Sequence, residues 1–194
     1  TVWYLSTEDR TIMAMNFGGL EPQYESLDNA AFVVVPVPYD LTSTYQSGAR
    51  RGPAAILEAS GNMELYDEEL GKETFRAGIH TADFLEAKAS GPEAMVRAVR
   101  ERIHDIVVLN KIPVMLGGDH SLSPGAVAAV RERYPDLAVL HFDAHADLRD
   151  SYQGSPHSHA CAGRRMAELC PLVQVGIRSL SVEEAGFMKQ ASVK

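Results

Sequence analysis

Thiols are scarce in this chain: Cys161 and Cys170 are the only cysteines in 194 residues, and no Cys-x-x-Cys pair exists. That excludes a disulfide framework and a thiolate zinc site, leaving two buried or half-buried free thiols. Long apolar runs are missing as well. None approaches the roughly 18 residues a membrane-spanning helix needs, and the N-terminus lacks the charged-then-apolar pattern of a secretion signal. Positive charge is in short supply, with 18 Lys and Arg against 26 Asp and Glu. Phosphate binding needs basic side chains gathered on one face, and the pairs Arg50-Arg51 and Arg164-Arg165 are too short to provide it. No repeat and no Gly/Ser/Pro-rich linker divides the chain. Residues 1–194 therefore read as one soluble, cytoplasmic domain with neither a nucleic-acid nor a membrane partner.

What is present alternates between two periods. Residues 32–36, Phe-Val-Val-Val-Pro, form a short β-branched apolar run that predicts a buried strand. Gly52-Pro53 sets up a helix over 53–60, because proline suits a first helical turn. From Gly91-Pro92 onward, Met95, Val96, Val99, Ile103, Ile106 and Val107 recur at helical spacing. A strand over 112–116, a helix over 124–133 with Ser123 as its N-cap, and a buried strand over 137–142 follow. A helix near 160–169, a strand near 172–177 and a helix near 182–190 complete the pattern. Strands alternating with helices predict an α/β fold on a mainly parallel sheet.

In such sheets ligands bind beyond the carboxyl ends of strands, and two strand ends here are unusual. The strand at 112–116 runs into Gly117-Gly118-Asp119-His120-Ser121, and the strand at 137–142 into Asp143-Ala144-His145-Ala146-Asp147. On an extended backbone Asp143, His145 and Asp147 would share one side, with both alanines on the other. The apolar run before them would make a dry floor, on which unpaired carboxylates are costly unless a cation neutralises them. His120 would join as a fourth ligand. Mixed imidazole and carboxylate donors suit Mn, Zn, Co or Fe better than Mg or Ca, and the share of carboxylate tilts the choice to Mn. Asp119 is expected to anchor the Gly-Gly turn or to orient His120 from behind. His141 is expected to point into the sheet, away from the ligands, as a supporting or structural residue. His80 and His104 read as ordinary polar residues.

At these residues the chain resembles the ureohydrolase family, the arginases and agmatinases, binuclear manganese enzymes that hydrolyse guanidino compounds to urea. The resemblance extends to Thr44-Tyr45-Gln46-Ser47-Gly48-Ala49-Arg50-Arg51-Gly52-Pro53 and to Asn62-Met63-Glu64-Leu65-Tyr66-Asp67-Glu68-Glu69-Leu70. It implies a three-layer α-β-α, arginase-like fold. It also implies that His120 and Asp147 bind one Mn2+, that His145 binds the other, and that Asp143 contacts both. His159, in Ser158-His159-Ala160, would be the general acid that protonates the departing amine, a task suited to an imidazole. A homo-oligomer, a trimer or hexamer, is implied too.

Asp150-Ser151-Tyr152-Gln153-Gly154 followed by Ser158-His159-Ala160-Cys161 stands where arginases carry a Ser-Gly-Asn stretch, and looks like the agmatinase branch. The expected substrate is a small guanidino compound, agmatine, cleaved to putrescine and urea. Guanidinobutyrate, arginine and a formimino amino acid are alternatives, as is a non-catalytic regulatory subunit. The family supplies further bridging carboxylates from a Ser-x-Asp-x-Asp-x-x-Asp-Pro segment, which does not occur here. Glu183 and Glu184 read as a solvated helix face and as weak substitutes. The expectation is a piece of a longer enzyme, inactive by itself.

Overall fold

The computed structural model describes residues 15–191 and 193–194; most of the N-terminal stretch without a signal pattern lies outside them. In chain order the elements are α1 (Pro22–Glu25), β1 (Phe32–Val37), α2 (Gly52–Ser60), β2 (Ile79–Thr81), α3 (Pro92–Val108), β3 (Ile112–Gly117), α4 (Ser123–Arg133), β4 (Val139–Phe142), α5 (Ala162–Ala167), β5 (Leu172–Val175) and α6 (Val182–Gln190). Prolines open α1, α2, α3 and α4, where a missing N–H costs nothing. No helix among the described residues is long and apolar enough to cross a membrane.

Among the described residues every pairing of these strands is parallel, as the alternation predicts, and the strands fall into two groups. The first has the order β2-β1-β3, with Phe32 level with Ile79 on one side and Ile112 on the other. The second is the pair β4-β5, with Val139 level with Leu172. α3 lays Met95, Val99, Ile103, Ile106 and Val107 onto Val33, Val35 and Val37 of β1, which makes the main core. Burying each such side chain stabilises the fold by about 1.5–3 kcal/mol before chain entropy is counted. A second cluster under the β4-β5 pair gathers Ala146, Leu148 and Leu172 with Ile177 and Phe187.

Two expectations need correction, and one strand was not foreseen. The run ending at Phe142 is not a buried strand throughout, because Leu140 is 58% and Phe142 71% exposed. Leu140 pairs with Val173 and Phe142 with Val175, so all four lie on one face of the pair, and among the described residues that face is open. Ser123 is not an N-cap: α4 is entered through a 3-10 turn at His120–Leu122, and Asp119 caps that turn by accepting from the Ser121 N–H at 3.0 Å. β2 had no sequence signal, since three residues are too few to show a period.

Candidate metal centre

The carboxyl ends of β3 and β4 converge on one cleft of about 790 Å³, and His120, Asp143, His145, Asp147 and His159 all line it. His120 arrives on the 3-10 turn after β3. Its Nδ1 lies 2.7 Å from Asp147 Oδ2 and 3.6 Å from Asp143 Oδ2. The other oxygen of Asp143, Oδ1, faces His145 Nδ1 at 3.4 Å and accepts from the His145 backbone N–H at 2.8 Å. Asp143 thus turns one oxygen toward His120 and the other toward His145.

The segment carrying these residues is not a strand in itself. It continues the β4-β5 pairing by isolated bonds: Asp143 N–H donates to the Val175 carbonyl, Ser179 N–H to that of Ala144, and Ala146 N–H to that of Ser179. The chain bends at Ala144 rather than running fully extended, and Asp147 has a left-handed φ of 51°, a conformation Asp tolerates better than most residues. Ala146 is fully buried and does not line the cleft.

His141 does not turn away from this group. Its Nε2 lies 3.3 Å from Asp143 Oδ2, and its ring centroid is 4.9 Å from that of His120. The reason is the same alternation: positions 141 and 143 are two apart and share a side. Gln174 on β5 donates its Nε2 to His141 Nδ1 at 2.9 Å and to the Ala146 carbonyl at 2.7 Å. With Nδ1 accepting, the His141 proton sits on Nε2 and is donated to Asp143. Burial and the neighbouring His120 pull the His141 pKa down, so this donor is a neutral imidazole. Burial by itself would raise Asp143, but the His145 N–H, His120 and His141 outweigh it, and its pKa is lowered.

Asp119 anchors a turn, but its partner is Thr42 rather than His120. Its buried carboxylate accepts from the Thr42 backbone N–H at 2.8 Å and from the Thr42 hydroxyl at 2.7 Å. The same hydroxyl accepts from the His159 N–H at 2.9 Å and stands 3.3 Å from His159 Nδ1. Ser158 Oγ lies equally near that nitrogen, and the Tyr152 ring meets the imidazole edge-on at 5.8 Å. His80 and His104 lie elsewhere, His80 against the Glu25 carbonyl and His104 beside Glu132. Both cysteines are buried, and burial raises their pKa values.

Thr42 and Gln174 escaped the sequence reading, and Glu184 was misplaced by it. Thr42 meets its partners 77 and 117 positions away, which no local pattern encodes. Gln174, a lone amide in an apolar run, could have been flagged as a strand residue facing something polar. Glu184 is not on a solvated face. It is 4% exposed, and Ser181-x-x-Glu184 is a capping box whose spacing was readable in advance.

His120, His141 and Asp143 each offer a donor atom within 4.8 Å of the others. The ion-pairing partners of Asp143 and Asp147 among the described residues are all histidines. Two carboxylates, one buried and one half-buried, with no Lys or Arg against either, suit a divalent cation.

The sequence profile of the arginase family matches residues 30–194. An N(1)-aminopropylagmatine ureohydrolase of Thermus thermophilus is 42% identical over 182 residues, 93% of this chain and 61% of that protein. An agmatinase of Bacillus subtilis is 33% identical over 172 residues, 87% of this chain and 58% of that protein. The structure of an agmatine ureohydrolase of Thermoplasma volcanium superposes with a TM-score of 0.79 at 32% identity, over 87% of this chain and 58% of that one. The chain thus spans about three fifths of these relatives, and the likeness extends the parallel α/β arrangement to the three-layer arginase-like fold. The chain belongs to the arginase family, in its agmatinase branch.

Proposed function

We propose that the protein carrying this chain hydrolyses the guanidino group of agmatine or a close relative of it, releasing urea and an amine at a dinuclear manganese centre. The observation that carries this reading is Asp143, whose two carboxylate oxygens face two different imidazoles, His120 and His145. That disposition fits a carboxylate shared by two cations. His120 and Asp147 would hold one of them and His145 the other, and the donor set is the imidazole and carboxylate mixture that suits Mn2+. A bound pair of such ions would supply a water deprotonated at neutral pH as the nucleophile for the guanidino carbon.

The residues of the chain do the rest. His141, a neutral donor, orients Asp143, and Gln174 fixes which nitrogen donates. When the bond between the guanidino carbon and the alkyl nitrogen breaks, that nitrogen must take a proton. His159 lines the same cleft and is our candidate to give it. Thr42, bonded at once to Asp119 and to the His159 N–H, ties the acid to the turn that carries His120. For agmatine the products are urea and putrescine.

A second substrate has an observation in its favour: the relative named for N(1)-aminopropylagmatine is nearer in sequence, at 42% identity, than the agmatinase at 33%. The test is a panel of agmatine, N(1)-aminopropylagmatine, arginine and a formimino amino acid, assayed for urea and for formamide with the protein as its gene encodes it. Urea from one of the first two, lost with D143N, supports the reading. Formamide release, or urea from arginine alone, overturns it. His159→Ala should lower kcat by about a hundredfold or more and leave metal content unchanged.

A further inference from the structure

Glu184 is a carboxylate 4% exposed, lining the cleft at the start of α6, and no step of the proposed reaction uses it. A buried carboxylate is costly unless fully bonded, so its partners show what it is for. Oε2 accepts from the Ser181 N–H at 2.6 Å and lies 4.0 Å from Arg149 Nε. That half belongs to the capping box of α6. Oε1 instead accepts from the backbone N–H of Leu148 at 2.9 Å, 36 positions away.

Leu148 N–H belongs to the peptide plane that follows Asp147, and the opposite end of that plane is held as well. The Asp147 carbonyl accepts from the Arg164 N–H of α5 at 2.9 Å. One peptide unit is therefore gripped at its C=O by α5 and at its N–H by Glu184 of α6. Asp147 needs such a grip. Its φ of 51° costs energy for a residue with a Cβ, even for Asp, and Leu148 is too buried for water to satisfy the N–H. Gly163 closes the third side: a Cβ there would stand 2.5 Å from the Ala146 carbonyl and 3.1 Å from that of Asp147.

We propose that Glu184 is a positioning residue for the metal centre, clamping the 147–148 peptide so that the Asp147 carboxylate faces His120. The proposal rests on the reading of Asp147 and His120 as metal ligands. An apolar residue at 184 could pack equally well, but it would leave the Leu148 N–H without an acceptor and free the peptide to rotate. Supporting groups of this kind carry about 10- to 100-fold in metal affinity.

The experiment measures Mn2+ binding by calorimetry and by EPR of free Mn2+, together with Tm in chelator, on the protein as its gene encodes it. Wild type, E184Q and S181A are compared. A glutamine can accept at only one of the two N–H groups, so E184Q should weaken Mn2+ binding about tenfold or more. S181A removes the other half of the capping box and leaves the Leu148 bond in place. It should lower Tm while Mn2+ affinity stays within about twofold of wild type. If E184Q yields no folded protein, E184D takes its place with the same expectation, since the shorter side chain cannot span both N–H groups. Equal affinity in wild type and the Glu184 variant, or equal losses in that variant and S181A, overturns the proposal. Absence of Mn2+ binding in wild type would instead overturn the metal reading on which it rests.

Discussion

At the scale of single residues, the site is built from groups whose protons have little choice of place. Gln174 donates to one nitrogen of His141 and so leaves the other to donate to Asp143. Tyr39 shows the cost of burial near such a site: its hydroxyl is buried without a hydrogen-bond partner among the described residues. Burial, and then the Asp119 carboxylate, push its pKa up to about 12. The folded state therefore keeps this proton where the unfolded chain gives it up near pH 10. The resulting stability is full below the unfolded pKa and is lost as pH rises through the folded one. Spectrophotometric titration should show one tyrosine ionising well after the exposed ones, and Tyr39→Phe should remove that late step. The thiols offer a second check. Cys161 and Cys170, buried with raised pKa values, should react slowly with Ellman's reagent in the folded protein and promptly once it is unfolded.

Among the elements, what could be read in advance was whatever depends on local period and on turn chemistry. The helical spacing from Met95 to Val107 and the prolines at helix starts located α3, α2 and α4 within a residue or two. The cluster Asp143, His145, Asp147 was legible because alternating ligands at a strand end have few other uses. The same rule, carried two residues back, would have put His141 beside Asp143. What was not legible depends on distant partners: the three residues of β2, the Thr42 bridge, and the burial of Glu184 by a loop 36 positions away. One further consequence belongs to the contact between α5 and the Asp147 loop. Gly163→Ala places a methyl group where the Ala146 carbonyl already sits, so it should cost about 2 kcal/mol and several degrees of Tm. It should also weaken Mn2+ binding, because the carbonyl it displaces belongs to the residue preceding Asp147.

For the molecule as a whole, the parallel sheets leave an apolar surface open. Leu140, Phe142, Val173 and Val175 share one face of the β4-β5 pair, and Ile112 of β3 is 54% exposed. Contiguous exposed apolar side chains favour association. The 194-residue chain by itself should therefore bind 1-anilinonaphthalene-8-sulfonate and self-associate during size-exclusion chromatography, and Leu140→Ser with Phe142→Ser should reduce both. The claim on which everything else rests is that the two strand ends meet to hold two cations across Asp143. It is tested most directly by crystals of the protein as its gene encodes it, grown with Mn2+ and measured at the manganese edge. Two anomalous peaks are predicted on either side of the Asp143 carboxylate, about 3.5–4 Å apart, one beside His120 and Asp147 and the other beside His145. A cleft without manganese signal, or a single peak remote from Asp143, would contradict the account.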